Sequence, residues 1–270
     1  MKKIMNIIIY YDNYDEVYKY MKEVNSIAFG LVDIVLVVNK DTYCQVPKIV
    51  EFWRQQEYDN LKVFNFNENV GYLNALLNTI QMIDLNNYKY FILSNTDIQY
   101  VSKDFFQKLM EKNYIENIGC IAPSVYAVNS NSYSNPHYKQ RIPLQKINRL
   151  IWIFSHPKCA QFYLWLSGKK SSNIKKKEEP SCYVYSPNGC YMIFSQEFIK
   201  KIYGYKYGVK MYSEESCIGE LLVKSQKRCF YDNSIKVNHV ESTVTGKINK
   251  KLKYHYFAES LKYIKDEFYT

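Results

Sequence analysis

The chain has 270 residues, and 47% of them are hydrophobic, so it is long enough and apolar enough to bury a substantial core. Nine glycines and seven prolines are too few for long disordered linkers. The net charge of +10 favours an anionic partner, such as a membrane surface, a phosphorylated lipid or a nucleotide. We expect no nucleic-acid partner, because no motif of a DNA- or RNA-binding module accompanies this charge.

The cysteines and the apolar segments indicate the compartment. Seven cysteines are widely spread without a C-x-x-C pair, which favours free thiols in a reducing cytosol over disulfides or a zinc site. The N-terminal apolar run has only the length of a strand and turns acidic at once, unlike a signal peptide. Every apolar stretch falls short of the roughly 20 residues of a membrane-spanning helix. The sequence therefore predicts a cytoplasmic protein.

The first half of the chain alternates strands with helices. Continuous apolar runs predict strands at residues 7–11, 33–38, 61–66, 90–94 and 119–123. Amphipathic patterns predict helices after residue 13, at 48–56, after residue 71 and at 102–112. Strands that are apolar throughout and alternate with helices indicate a parallel sheet that is covered on both faces.

The second half is organised differently. The patterns predict a polar loop at 129–143, strands at 182–185 and 189–195, a helix that starts near residue 214, short strands at 228–231 and 235–239, and a basic helix at about 250–268. After the polar loop comes an aromatic segment, residues 150–166, with basic residues on both sides. This segment fits either a helix that lies in a membrane interface or a helix hairpin that turns at Pro157.

Polar side chains follow several of these elements where a strand ends or a helix starts. Since parallel strands bring their carboxyl ends to the same edge of a sheet, these groups predict one cleft there, in which Asp97 could hold a divalent cation. Each group also has a local explanation as a turn, a helix cap or a structural histidine. The groups are Asn39 to Asp41, Asn95 to Asp97, Glu214 with Glu215, and His239.

A second polar pattern opens the helix after the third strand. Asn69 and Gly71 precede the helix, and Asn74 and Asn78 lie one turn apart on one of its faces. Gly71 would let the backbone approach a ligand near a helix N-terminus, which attracts anions. The G-x-G-x-x-G fingerprint of dinucleotide binding is missing from the sequence, so a dehydrogenase is disfavoured.

In this order, the motifs resemble those of bacterial family 2 glycosyltransferases of the rhamnosyltransferase and galactofuranosyltransferase type. The resemblance covers Asn6 to about Gly246. It implies an α/β fold of the GT-A class, in which helices flank a Rossmann-like, mostly parallel sheet, with a C-terminal extension on the acceptor side. The matching residues are, in chain order, Asn69, Gly71 and Asn78, then Asn95 to Asp97, Gly189 to Met192, Glu214 with Glu215, and His239 with Ser242 and Thr243.

The family transfers a sugar from a nucleotide diphosphate donor to a hydroxyl group, with inversion at the anomeric carbon. The resemblance implies that Asp97 and His239 bind Mg²⁺ or Mn²⁺ beside the diphosphate. It also implies that Glu215, with Glu214 as the alternate, takes the proton from the acceptor hydroxyl. The donor contacts that it implies come from Tyr10, Asn39, Asp41, Asn69, Gly71, Asn74, Asn78 and Asn95.

The same resemblance implies an organisation and a set of partners. Residues 1–246 would form the GT-A domain, with a nucleotide-sugar-binding half at 1–123 and an acceptor half at 124–246, and residues 247–270 would form the basic helix. The acceptor would be a glycan or a polyprenyl-phosphate-linked sugar in capsule or O-antigen polysaccharide biosynthesis. Together with the basic charge, this predicts a peripheral protein on the anionic inner face of the bacterial plasma membrane.

Three positions depart from the family pattern. Asn95 stands where some members have Asp, Glu215 replaces the usual Asp, and the second strand ends in Asn39-Lys40-Asp41 where the family has Val-Asp-Asn-x-Ser. These departures support a second hypothesis, a catalytically weak or inactive relative that binds a membrane or a glycan. A third hypothesis, a sugar-phosphate nucleotidyltransferase, would need a Gly-rich loop with Lys or Arg near the N-terminus, and residues 10–15 lack one.

Overall fold

One mixed sheet forms the centre of the molecule in a computed structural model, which describes residues 2–28, 30–171, 175–241 and 250–269. The strands in these ranges are β1 (Lys3–Tyr11), β2 (Val32–Lys40), β3 (Leu61–Asn65), β4 (Tyr88–Ser94), β5 (Ile98–Tyr100), β6 (Ile118–Ala127), β7 (Ser132–Tyr133), β8 (Cys182–Val184), β9 (Tyr191–Ser195) and β10 (Arg228–His239). They pair in the order β3-β2-β1-β4-β9-β6-β10-β5, while β7 pairs with β6 and β8 with β10.

The strand directions confirm the predicted, mostly parallel α/β sheet. Strands β3, β2, β1 and β4 pair in parallel, and so do β6 and β10. Because β9 lies antiparallel to both β4 and β6, these two parallel groups point the same way. The carboxyl ends of β1, β2, β4, β6 and β10 therefore share one edge of the sheet.

The helices lie on both faces of the sheet and at its end. They are α1 (Tyr14–Ala28), α2 (Val46–Gln55), α3 (Tyr72–Thr79), α4 (Phe105–Glu111), α5 (Leu144–Ser155), α6 (Pro157–Ser171), α7 (Gln196–Lys201), α8 (Glu214–Lys224) and α9 (Lys250–Phe268), with a short 3₁₀ helix at Leu85–Asn87. The bounds of α9 match the predicted ones, and α4 begins three residues later than predicted.

Two hydrophobic cores lie on opposite faces of the sheet, because side chains alternate along each strand. In β1, Met5 and Ile7 face the core that contains α3 and α8, while Ile4 and Ile8 face the core that contains α1, α2 and α4. Strand β3 lies at the edge of the sheet, and Val63 at its centre is exposed. The continuous apolar runs of β1, β2 and β4 thus follow from burial on both faces.

Residues 228–239 form one strand and not the two short strands that the sequence predicted. The polar residues from Asp232 to Ser234 indicated a break, yet β10 only shifts its register there and resumes with Lys236 opposite Ser124 of β6. The Asp232 carboxylate accepts a hydrogen bond from the Ser234 N–H at 2.9 Å, which satisfies the backbone within the irregularity. A local hydrogen bond therefore lets a polar stretch continue a strand.

Strand β5 is a further correction, because the sequence analysis placed no strand between residues 94 and 119. It is three residues long and pairs antiparallel with the end of β10, so that Ile98 lies opposite His239. So short a strand carries little pattern of its own and depends on its partner. This pairing puts the residue before β5, Asp97, beside the last residue of β10.

The aromatic segment forms a helix hairpin, which was one of its two predicted structures. Helix α5 ends at Ser155 and α6 begins at Pro157. Helix α9 packs across the pair, with Phe154, Ala160, Tyr254 and Leu261 in one small core. In the part of the chain that the structure describes, each helix is too short or too polar to cross a membrane. The predicted motif residues Ser242 and Thr243 lie outside the described residues.

Candidate active site

Asp97 and His239 meet at the carboxyl edge of the sheet. The Oδ1 atom of Asp97 lies 3.2 Å from Nε2 of His239, and the two side chains are 7% and 18% exposed. The Val240 N–H donates a hydrogen bond of 2.9 Å to the Asp97 carbonyl, which fixes the two backbones next to each other. The structure thus brings together the two residues that the sequence analysis proposed as metal ligands.

Glu215 is joined to this pair through the turn before β9. The Gly189 N–H donates a hydrogen bond to Oε1 of Glu215 at 3.2 Å, and the Asn95 N–H donates one to the Cys190 carbonyl at 2.8 Å. Burial raises the pKa of the Cys190 thiol, and the carboxylates of Asp97 and then Glu215 raise it further. The backbone of Gly189 and Cys190 therefore links the turn that carries Asn95 and Asp97 to Glu215.

The Glu215 carboxylate occupies the space that a side chain at position 189 would need. A Cβ atom at Gly189 would lie 2.6 Å from Oε1 of Glu215, which is closer than van der Waals contact permits. The Gly-x-x-Met stretch that carries part of the family resemblance therefore serves the approach of Glu215 to the turn.

The two glutamates of the pair have different environments. Glu214 is buried, and its Oε1 atom accepts a hydrogen bond from the Tyr212 N–H at 2.9 Å. Burial and, secondly, the Glu215 carboxylate raise the pKa of Glu214 from 4.5 to about 8. Glu215 is half-buried and lies beside Gly189. At neutral pH the Glu214 carboxyl is therefore mostly protonated.

The start of α8, which carries both glutamates, is strained and supported from α9. Tyr212 and Ser213 have left-handed backbones, with φ angles of 70° and 62°, which L-residues rarely adopt. The Tyr212 ring stacks on Phe257 with centroids 3.9 Å apart, and the hydroxyls of Ser213 and Ser260 are 2.9 Å apart. Contacts from helix α9 thus fix the backbone just before Glu214 and Glu215.

Asn74 and Gly71 hold the segment that leads into α8. The Asn74 side chain donates to the Tyr207 carbonyl at 3.0 Å and accepts from the Tyr207 N–H at 3.1 Å. Gly71 has a φ of 87°, and a Cβ atom there would lie 2.0 Å from the Lys210 carbonyl oxygen. Gly71 thus brings the backbone close to another backbone segment, where the sequence analysis expected a ligand. Asn78 lies one turn after Asn74 and is half-buried.

The other proposed donor contacts at this edge fix loops. Asn39 accepts from the Val70 N–H at 3.2 Å and donates to the Gly71 carbonyl at 3.3 Å, while Asn69 accepts from the Gly71 N–H at 2.9 Å. Asp41 accepts from the Gln45 and Val46 N–H groups at 2.8 and 3.0 Å, at the start of α2. Burial first, and then the carboxylates of Asp41 and Asp12, raise the pKa of Tyr10 to about 12.

A buried hydroxyl network fixes the turn that carries Asn95 and Asp97. The Tyr20 hydroxyl lies 2.8 Å from Ser94 Oγ and 2.8 Å from the Tyr100 hydroxyl. Thr96, which lies between Asn95 and Asp97 in the sequence, accepts a hydrogen bond from Asn13 Nδ2 at 3.1 Å. These hydrogen bonds fix Ser94 and Thr96. Because Asp97 directly follows Thr96, they also fix the backbone that carries the Asp97 carboxylate.

Two residues near the Glu pair were missed by the sequence analysis. The hydroxyl of Tyr72 is buried without a hydrogen-bond partner among the described residues, and burial raises its pKa, with further contributions from Cys190 and Glu214. Burial lowers the pKa of His137, although the Glu215 carboxylate opposes this. Tyr72 directly follows Gly71, which could have drawn attention to it, whereas His137 lies in a polar loop without a motif.

The chemistry of Asp97 and His239 fits a divalent cation. A carboxylate oxygen suits Mg²⁺ and Mn²⁺, and an imidazole nitrogen is a common ligand of transition-metal ions, which favours Mn²⁺. Among the described residues, no group of three or more His, Cys, Asp or Glu side chains could hold an ion by itself. The pair would therefore supply part of a coordination sphere, and other ligands would complete it.

Three solved structures with nucleotide or nucleotide-sugar ligands share this fold. A mannosyltransferase from Pyrobaculum calidifontis with GDP-Man and Mn²⁺ is 10% identical, with a TM-score of 0.58 over 90% of this chain and 58% of its own. S. aureus TarS with UDP-GlcNAc is 12% identical, with a TM-score of 0.57 over 92% and 61%. GalNAc-T7 with UDP, GalNAc and Mn²⁺ is 12% identical, with a TM-score of 0.55 over 99% and 50%. This chain thus spans about half to three-fifths of their lengths.

The sequence comparisons give the family. A search of curated proteins finds no match to this sequence. Residues 6–195 match the glycosyl transferase family 2, and this stretch is more than half of the chain. It contains Asn95 and Asp97 and ends before Glu214, Glu215 and His239, which the structure places next to it. With the GT-A fold and this match, the chain belongs to glycosyl transferase family 2.

Proposed function

We propose that this protein is an inverting, metal-dependent glycosyltransferase that moves a hexose-type sugar from a nucleotide diphosphate donor to an acceptor hydroxyl. The observation that carries the proposal is the series of contacts that runs from the Asp97–His239 pair through the Asn95 N–H to Cys190 and from Gly189 to Glu215. It supports the proposal because the residues proposed as metal ligands and as the base lie near one sheet edge. The ligands bound in the similar structures, GDP-Man, UDP and UDP-GlcNAc, support a nucleotide-linked donor.

Glu215 has the role of general base. Its carboxylate takes the proton of the acceptor hydroxyl while that oxygen forms the bond to the anomeric carbon, and the bond from this carbon to the donor phosphate breaks. Glu214 stays protonated beside it at neutral pH, because burial raises its pKa to about 8. A neutral neighbour removes the repulsion that a second carboxylate would exert on Glu215.

Asp97 and His239 would hold the cation, with Asn95 as a neighbouring amide ligand or donor contact. A cation there neutralises charge on the leaving diphosphate. The burial of Asp97 supports this role, because a buried carboxylate favours a positive partner.

The acceptor side is proposed on chemical grounds. The positive net charge and the aromatic hairpin support a lipid-linked acceptor, such as a polyprenyl-phosphate-linked glycan of a capsule or O-antigen polysaccharide, met at the inner face of the bacterial plasma membrane. A rhamnosyl or galactofuranosyl donor follows only from the motif resemblance.

The test is a panel of UDP-, GDP- and TDP-sugars with and without Mn²⁺, incubated with a lipid extract and scored by the nucleoside diphosphate released. We expect metal-dependent release from at least one donor. Glu215→Gln should lower turnover by roughly 10²–10⁴-fold, because a general base contributes about that much. The exposed Glu111→Gln on α4 is the matched control and should leave turnover unchanged.

Two outcomes would count against this assignment. Turnover that survives Glu215→Gln would move the base to another residue, with Glu214 as the first candidate. Absence of release from every donor, together with retained binding of vesicles or glycans, would favour the inactive relative.

A further inference from the structure

The α5–α6 hairpin presents large apolar side chains to solvent. Trp152 is 58% exposed, Phe162 61% and Trp165 53%, and Leu164 and Leu166 are exposed between and beside them. We call these five residues the aromatic patch. Large exposed apolar patches mark interaction sites more often than ordinary surface does.

The packing of the hairpin leaves the aromatic patch outside. Phe154 of α5 and Ala160 of α6 are buried against Tyr254 and Leu261 of α9, and this is the face on which the hairpin is held. The rings of Phe162 and Trp165 stack on each other, with centroids 5.9 Å apart, on the part of α6 that is turned away from this core.

The charges around the patch have one sign. Residues 144–167, which contain α5 and the described side chains of α6, include no Asp or Glu, whereas Lys146, Arg149 and Lys158 are exposed. Arg149 lies one turn before Trp152, and Lys158 lies one turn before Phe162, so two of the exposed rings have a basic neighbour on the helix surface. An apolar stripe with basic residues beside it is the pattern of a helix that lies in a membrane interface.

We propose that the aromatic patch docks on an anionic lipid bilayer, with its rings among the lipid headgroups and Lys146, Arg149 and Lys158 against the lipid phosphates. A second copy of this chain is a poorer occupant, because a contact between two patches would bring like charges together. An anionic bilayer accommodates both the apolar rings and the basic residues, because the rings are removed from water and the basic side chains pair with lipid phosphates.

The hairpin that carries the patch also contacts the segment next to the active site. The Phe257 ring of α9 stacks on Phe154 of the hairpin, with centroids 5.0 Å apart, and on Tyr212, with centroids 3.9 Å apart. Tyr212 precedes the Glu pair by two residues. Docking would thus hold the Glu215 side of the site near a lipid-borne acceptor. This consequence rests on the proposed function, whereas vesicle binding itself needs neither donor nor metal.

The experiment is co-sedimentation of the full chain with phosphatidylcholine vesicles that contain or lack phosphatidylglycerol. We expect binding to the anionic vesicles only, weakened when the salt concentration is raised to 1 M, where the Debye length falls to about 3 Å. The triple variant Trp152→Ala, Phe162→Ala and Trp165→Ala should lower the partition coefficient roughly ten-fold or more, because it removes most of the inserted apolar area. The matched control replaces three comparably exposed residues elsewhere, Tyr43, Met82 and Tyr203, with Ala and should bind as wild type does.

Tryptophan fluorescence tests the same surface without a destabilising change. Two of the three tryptophans lie in the patch, and the third, Trp53, is only 2% exposed. Anionic vesicles should shift the emission of the wild-type protein to shorter wavelength, and Trp152→Phe with Trp165→Phe should abolish the shift. The proposal is overturned if the wild type ignores anionic vesicles, if the triple variant binds equally well, or if the patch residues instead control self-association in sedimentation.

Discussion

Glu214→Gln tests whether burial keeps the Glu214 carboxyl protonated near neutral pH. Burial and the Glu215 carboxylate raise the pKa of Glu214 in the folded protein to about 8, while the unfolded chain should titrate near the ordinary value of 4.5. Between these values the folded protein binds a proton that the unfolded chain does not. The resulting contribution to stability is complete below pH 4.5 and is lost as the pH rises through 8.

The size of the effect follows from this shift. Between pH 7 and pH 9 the ionised fraction of a group with a pKa of about 8 rises from about a tenth to about nine tenths, which lowers the free energy of unfolding by about 1.4 kcal/mol. Glutamine resembles the protonated carboxyl, does not titrate and can still accept the hydrogen bond from the Tyr212 N–H. The free energy of unfolding of Glu214→Gln, minus that of the wild type, should therefore rise by about 1.4 kcal/mol over this range.

Urea unfolding at pH 7, 8 and 9 measures this difference, and titrations shared by the two proteins cancel in it. Glu111→Gln, an exposed change on α4, should show the same difference from wild type at every pH. A flat difference for Glu214→Gln would refute the reasoning, because it would mean that Glu214 is already ionised at pH 7.

Three further predictions concern the site and its supports. Glu214→Gln should keep turnover at pH 7 within roughly ten-fold of wild type, in contrast to Glu215→Gln, and an equal loss in both would make Glu214 a second essential acid or base. Gly71→Ala should lower the melting temperature well below that of Gly204→Ala, since both have a positive φ but only the Cβ at Gly71 would meet a backbone oxygen, and equal losses would argue against that contact. Ser260→Ala should lower kcat with the Kd for nucleotide unchanged, because its partner lies at the start of α8; a changed Kd alone would contradict a positioning role.

The first half of the fold could be predicted because its signal is local. Strands β1, β2 and β4 each contain a continuous apolar run, and such a run by itself predicts a strand that is buried on both faces. Asp97 and His239 were likewise visible as polar residues at strand ends. The family resemblance also paired them at one cation. No local pattern showed their direct contact, because that contact depends on β5, whose three residues become a strand only by pairing with β10.

The contacts that position the site could not be predicted from local sequence patterns. Asn74 and Gly71 looked like ligand contacts at a helix start, whereas their described partners are Tyr207 and Lys210, more than 130 residues further along the chain. The charge of the basic helix α9 was visible in the sequence, whereas the stacking of its Phe257 on Tyr212 was not. Such long-range contacts arise from packing, and single segments carry no signal of them.

The most direct test of the central claim is a calorimetric titration of the protein with UDP, GDP and TDP in the presence and absence of Mn²⁺. The structure brings Asp97 and His239 within 3.2 Å at the sheet edge, and we propose that a cation there holds a nucleoside diphosphate. We predict heat with at least one nucleotide when Mn²⁺ is present, lost in Asp97→Ala and kept in the exposed control Asp59→Ala. Binding that is equal without metal, or no heat with any of the three nucleotides, would contradict the account.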